Sequence, residues 1–161
     1  MIVGESGPET ILLTGAAGFV GSQLVRQLVK EGRDVAALLS PSTDPWRIAD
    51  VVDRVRVVRS DLSDPGQLQR ALDGVSPDLC IHLAWRGWAG QAGAEENLAS
   101  VAGSLNLLKQ LPGIGCGRLV TAGTCFEYEL GDTPLAEDGP LDPLNIYALS
   151  KAAFHDIARA F

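Results

Sequence analysis

The stretch Thr10-Ile11-Leu12-Leu13-Thr14-Gly15-Ala16-Ala17-Gly18-Phe19-Val20-Gly21 constrains this chain more than any other. An apolar run of strand type meets three glycines, and the residues behind them take up a helical period. A buried strand is therefore expected to turn sharply into a helix. The first four N–H groups of a helix lack internal partners, and the macrodipole adds about half a positive charge there. A pyrophosphate suits that end. Gly15 allows the tight turn, Gly18 lets the backbone approach a ligand, and Gly21 lets the helix lie close on the sheet. Ala17, Phe19 and Val20 complete the turn and the start of the helix. The alternative is a glycine-rich turn with no ligand, but the strand before and the helix after supply the context that the motif requires.

The rest of the chain alternates in the same way. The first strand covers about residues 10–14 and the first helix about 18–30, with Phe19, Val20, Leu24 and Leu28 on one face. Gly32 ends that helix. Further strands are expected over 34–39, 54–59, 78–84 and 118–122, and a short helix over 46–52. Ser63 or Asp64 is the N-cap of a helix that has Pro65 at its first position. A long helix over 94–111 carries the stripe Leu98, Val101, Leu105 and Leu108. A polar segment over 123–145 leads to a last helix that still runs at Phe161. This order implies an α/β fold: a Rossmann-type, doubly wound parallel sheet with its ligand crevice at the C-terminal ends of the strands. Residues 10–161 form this dinucleotide-binding domain, and residues 1–9 a loose leader.

Composition closes off several functions. The 161 residues carry a net charge of −7, which argues against nucleic-acid binding through a basic surface. No apolar run reaches the length of a membrane span. Cys80, Cys116 and Cys125 lack metal-type spacing, so no metal site is expected, and Cys80 and Cys116 read as small buried hydrophobes. The leader has no basic region of signal type. A reducing, cytoplasmic setting is the expectation.

Chemistry is expected just after each strand. Tyr147 and Lys151, four apart, share a face of the last helix. A free phenol titrates near about 10, and an ammonium beside it favours the phenolate. Thr124 follows strand five, so its hydroxyl can reach the same crevice; Thr121 stands nearby as an alternative. A hydroxyl, a phenol and an ammonium around one carbonyl make a proton relay for hydride transfer.

These residues resemble the short-chain dehydrogenase/reductase superfamily, in its extended branch of NAD(P)-dependent nucleotide-sugar epimerases, dehydratases and ketoreductases. Thr14 to Gly21 is similar to that branch's cofactor loop (TGxxGxxG), and Gly103-Ser104-Leu105-Asn106-Leu107-Leu108 to its central helix. The resemblance implies adenine contacts for Asp61 and Leu62, and a cofactor border formed by Leu83 and Ala84, with Trp85 beside them. Trp85, Arg86 and Trp88 either line a substrate pocket or cover the sheet edge. It also implies that Tyr147 is the general acid/base, that Lys151 binds ribose hydroxyls and eases deprotonation of Tyr147, and that Thr124 bonds the reacting oxygen. His82 is expected to be a satisfied strand residue.

Departures from the branch sharpen the expectation. Strand two ends in Leu39-Ser40 and not in an acid, with Ser42, Thr43 and Arg47 close by. An acid there would hold the ribose hydroxyls of NAD and repel the phosphate of NADP, so Ser40 and Arg47 lean the choice toward NADP over NAD. Ser100 replaces a common Asn, with Asn97 one turn earlier, and His155 replaces a common Glu. No Asp-Glu pair follows Thr124, which disfavours dehydration. The chain ends inside the Tyr147 helix, so the expected sheet is truncated and the C-terminal substrate domain absent, leaving an isolated fragment inactive. The function so implied is a nucleotide-sugar 4-ketoreductase or epimerase, with a possible homodimer through the two long helices. A non-catalytic dinucleotide-binding sensor is the alternative.

Overall fold

Apolar runs with no polar stripe become strands covered on two faces. The computed structural model describes residues 9–86, 93–132 and 134–161. Residues 1–8 of the expected leader at 1–9, Trp88 and most of the loop after strand four lie outside the described residues. Five strands, β1 (Thr10–Thr14), β2 (Asp34–Leu39), β3 (Arg56–Arg59), β4 (Leu79–His82) and β5 (Leu119–Thr121), form one sheet in the order β3-β2-β1-β4-β5. All neighbours pair parallel. The helices are α1 (Phe19–Lys30), α2 (Pro65–Ala71), α3 (Ala94–Gln110) and α4 (Ile146–Ala160). The chain order reverses between β1 and β4, which opens a crevice at their C-terminal ends.

Alternation along each strand builds two cores. Ile11, Leu13, Val35, Ala37 and Leu39 pack with Val25, Leu28 and Val29 of α1. Leu12, Ala36, Leu38 and Val58 pack on the other face with Leu68 of α2, Leu107 of α3 and Phe154 of α4. Full burial of one such side chain is worth about 1.5–3 kcal/mol. The α1 side of β5 is thinner, and Val120 there is 51% exposed.

Three expectations need correction. The helix expected over 46–52 is two 3-10 turns, Trp46–Ile48 and Val52–Arg54. On α1 the buried face is Gly21, Ser22, Val25, Leu28 and Val29, whereas Phe19 is 83% exposed and Val20 is also exposed. Small residues face inward because the helix lies directly on the glycine turn. The expected stripe on α3 is likewise rotated: Asn97, Ser100, Gly103, Ser104, Leu107 and Leu108 are buried, and Leu98 is exposed. Polar partners in the core draw that face in, as described below. Asp64 is the N-cap of α2 and accepts the Gln67 N–H at 2.8 Å. Gly32 ends α1 with φ of 75°. Glu9, at the edge of the described residues, pairs with Arg33 and Arg118. Among the described residues no helix is long and apolar enough to cross a membrane.

One buried polar network crosses from β1 to α3. The Ser104 hydroxyl donates to the Ser100 carbonyl at 2.7 Å, so it accepts from His82 Nε2 at 2.8 Å. His82 Nδ1 then accepts from the Thr14 hydroxyl at 2.7 Å, whose oxygen takes the Ala84 N–H at 3.1 Å. This pattern uses a neutral imidazole. Burial, helped by the charge of Lys151, pushes the His82 pKa from 6.5 down to about 4. The unfolded chain takes up that proton below pH 6.5 and the folded chain refuses it until about pH 4. Stability is thus expected to fall by about 3 kcal/mol as pH drops through that window. Thermal midpoints of the parent and of His82→Gln against pH check this: the variant should show a flatter acid limb, and an equal slope would contradict the assignment.

Candidate active site

The site begins where β1 ends. Gly15 has φ of 70°, in the left-handed region, and a Cβ there would sit 2.8 Å from the Ala84 nitrogen. The Gly18 N–H returns to the Gly15 carbonyl at 2.9 Å, which closes the turn. A Cβ on Gly21 would overlap that same carbonyl oxygen. Gly18, the N-cap of α1, brings no side-chain bond, and the first turn holds no acid. The first-turn N–H groups of Phe19, Val20 and Gly21 are therefore left for an anion.

A cleft of about 400 Å³ opens in front of this turn. Gly15, Ala17 and Gly18 form one wall, and Leu83, Ala84 and Trp85 another. Ser40 and Thr43 after β2, and Asp61 and Leu62 after β3, close the far end. The cradle, its glycines and the bare helix N-terminus fit a dinucleotide. The Ser63 N–H at 2.9 Å and hydroxyl at 2.8 Å bind Asp61 Oδ1, and with Arg86 at 3.3 Å on Oδ2 they hold that carboxyl below the usual range. Leu62 lies against Gly103 of α3, where a Cβ would come within 2.9 Å of its own Cβ, and its carbonyl accepts from Asn106 at 2.9 Å.

Arg47 does not join this cleft. Its guanidinium stacks on the Trp46 ring at 4.2 Å, because the 3-10 turn carries both side chains outward. Arg59 stands beside Ser40 instead. Pairing of Leu39 with Arg59 brings that side chain beside the end of β2, where Nη1 donates to the Ser40 and Thr43 carbonyls at 3.0 and 2.6 Å. The Ser40 and Thr43 hydroxyls are 2.7 Å apart.

At the other end, Lys151 of α4 is 7% exposed, and Nζ donates to the Ala122 carbonyl at 3.0 Å. It lies 4.0 Å over the Trp85 ring and 6.0 Å from that of Tyr147. Burial pushes its pKa down to about 8, against an opposing pull from the charge of Glu127. Trp85 thus joins the cleft to Lys151, and its Nε1 donates to Asn97 Oδ1 at 3.1 Å. Asn97 is committed to that bond and to the Gly93 carbonyl, and Ser100 Oγ accepts the Arg86 N–H at 3.0 Å. Thr124 caps the 3-10 turn Cys125–Glu127, where its hydroxyl oxygen accepts the Phe126 N–H at 3.4 Å. Its proton is left to donate. Thr121 is the last residue of β5. Sequence reasoning missed Glu127 and Arg59. The Thr124-x-x-Glu127 capping pattern was readable, but the position of Arg59 needs the strand register.

A family model described as the NAD-dependent epimerase/dehydratase family matches residues 11–161. This chain belongs to that family. Among members of the epimerase kind, the UDP-glucose 4-epimerase of Streptomyces lividans is 33% identical over 147 residues, covering 88% of this chain and 44% of that protein. UDP-glucose 4-epimerase 2 of Oryza sativa subsp. japonica is 30% identical over 165 residues, covering 95% and 40%. The chain spans about half the length of the curated relatives it matches. Among solved structures, Bordetella bronchiseptica WbmG in complex with NAD superposes with a TM-score of 0.82 at 26% identity, over 99% of this chain and 52% of that one. The Thermus thermophilus UDP-glucose 4-epimerase complex with NAD gives 0.80 at 31% identity, over 94% and 50%. The Rossmann-type parallel sheet expected from the order of strands and helices is borne out, and the family is NAD-dependent.

The glycine turn yields a direct test. Gly21→Ala forces α1 off the Gly15 carbonyl, and no flexible side chain stands between them to give way. It should cost about 2 kcal/mol or more in thermal unfolding and weaken NAD binding at least about tenfold by calorimetry. Wild-type affinity in the variant would refute the close-approach account.

Proposed function

We propose that this chain is the cofactor-binding part of a nucleotide-sugar 4-epimerase, with a ketoreductase as the variant that runs the reduction alone. The observation that carries the reading is Lys151. It is buried between the Trp85 wall of the dinucleotide cleft and the Ala122 carbonyl two residues before Thr124, four residues from Tyr147 on α4. A bound nicotinamide dinucleotide supplies the hydride acceptor and donor. Tyr147 takes the proton from the sugar hydroxyl as its carbon is oxidised and returns one on reduction. Thr124 donates its free hydroxyl proton to that oxygen. The Lys151 ammonium donates to ribose hydroxyls and favours the phenolate. Asp61 accepts from the adenine amino group, with Leu62 beside it. The nearest acid after Thr124 is Glu127, bonded to the N–H of Thr124 itself, which disfavours dehydration. The relatives named UDP-glucose 4-epimerases support a uridine diphosphate sugar as substrate.

The rim at Ser40, Thr43 and Arg59 supports acceptance of NADP as well as NAD, although the neighbours described above are NAD complexes. Calorimetric titration should show NADP binding at least as tightly as NAD, and Arg59→Ala should weaken NADP about tenfold more than NAD. Tighter NAD binding by the unaltered chain would overturn the NADP preference.

For the reaction itself, Tyr147→Phe in the complete protein should lower turnover of a UDP-hexose by about 10²-fold or more while NAD binding persists. Unchanged turnover would sink the role of Tyr147, and absence of turnover in the parent would leave a dinucleotide-binding module. Constant absorbance of the reduced cofactor during turnover marks an epimerase, and its loss a ketoreductase.

A further inference from the structure

Lys151 is a buried cation, and among the described residues no carboxylate forms an ion pair with it. Its bond to the Ala122 carbonyl at 3.0 Å uses one of the three N–H donors of an ammonium. Taking an ion out of water is costly unless other groups compensate, and one neutral carbonyl is a small part of that. The second compensation is the Trp85 ring, whose centroid lies 4.0 Å from Nζ. A cation over a ring face is drawn to the π cloud, to Trp most strongly, and more so where both are desolvated. The titratable groups around Lys151 are Tyr147 on its own helix, with its ring 6.0 Å away, His82 on β4 and Glu127 in the turn after β5. His82 is neutral in its network, and Glu127 accepts from the Thr124 N–H. The indole is itself fixed. Its Nε1 donates to Asn97 Oδ1 at 3.1 Å, and the fully buried Asn97 donates from Nδ2 to the Gly93 carbonyl at 3.1 Å. Turning the ring edge-on would leave a buried amide oxygen unpaired.

We propose that Trp85 is a positioning residue for Lys151: its ring face, oriented by Asn97, holds the buried ammonium at the wall of the cleft. The proposal rests on the reading of Lys151 as a site residue. It explains why the interior face of α3 buries an asparagine at all. A ring face stabilises the charge without being an acid, so the ammonium is not locked in an ion pair and keeps N–H donors for the cleft that Trp85 lines.

The test uses the chain itself, without substrate. It has three lysines, Lys30, Lys109 and Lys151, and the first two are exposed. After reductive ¹³C-methylation, NMR reads Lys151 against two internal references. Its methyl signals should lie upfield of theirs, because the indole ring current reaches groups held over its face. Biosynthetic 5-fluorotryptophan drains charge from the ring face and leaves its shape nearly unchanged. In the fluorinated chain Lys151 should titrate about 0.3 pH units lower, a twofold change in the protonation constant, while Lys30 and Lys109 hold. In Trp85→Leu the same fluorination should leave Lys151 where it was, although Trp46 and Trp88 still carry the label. A Lys151 titration unmoved by fluorine in the parent overturns the proposal, as do methyl signals without the upfield shift. An equal fluorine effect in Trp85→Leu overturns it too, because its source would then be another ring. The first two readouts need only the unaltered sequence, so they decide even where Trp85→Leu unfolds. Failure of the catalytic reading would appear separately, in the turnover of Tyr147→Phe.

Discussion

The contact between the backbone of Gly21 and the carbonyl of Gly15 is the constraint on which the rest of this structure depends. With no side chain between them, α1 starts within one turn of the end of β1. That closeness puts the bare N-terminus of α1 at the crevice where the sheet reverses its chain order. Gly15 also lies against the backbone of Leu83 and Ala84, so the turn sets the spacing between β1 and the loop after β4. A larger residue at either glycine would separate the N-terminus of α1 from the strands whose ends line the cleft.

A second layer of order comes from polar groups inside the core. The chain of bonds from Ala84 through Thr14, His82 and Ser104 ties the floor of the cleft to α3. Unpaired, each of these groups would cost about 1–3 kcal/mol in the core, so the network selects one register of α3 against the sheet. The same helix face holds Trp85 through Asn97 and admits Leu62 beside Gly103. Lys151 then rests on Trp85, so α4 and the wall of the cleft are mechanically joined. Lys151 and Glu127 are both buried where α4 packs on the turn after β5.

Much of the fold was legible because local chemistry and long-range packing agree. The strand runs, the glycine turn, the Asp64 cap and the placement of Tyr147 and Lys151 on one helix face all follow from patterns within a few residues. Two helix faces were misread for a physical reason. A hydrophobic stripe marks the buried side only when the core is apolar throughout. On α3 the inward face carries Asn97, Ser100 and Ser104, because the core there offers His82, Trp85 and backbone partners, and Leu98 is left outside. On α1 the glycine turn admits only small residues, so Phe19 and Val20 point out.

The sequence by itself determined the order of strands and helices, the glycine turn, and the shared helix of Tyr147 and Lys151. Each of those depends on spacing along the chain. The tertiary structure alone decided which arginine stands beside Ser40, since Arg47 and Arg59 are equally basic in sequence. The β2–β3 register brings only Arg59 to Ser40. It likewise decided that Lys151 lies over the Trp85 ring and donates to the Ala122 carbonyl. Those partners come from the loops after β4 and β5, and no periodicity in the chain records that they meet.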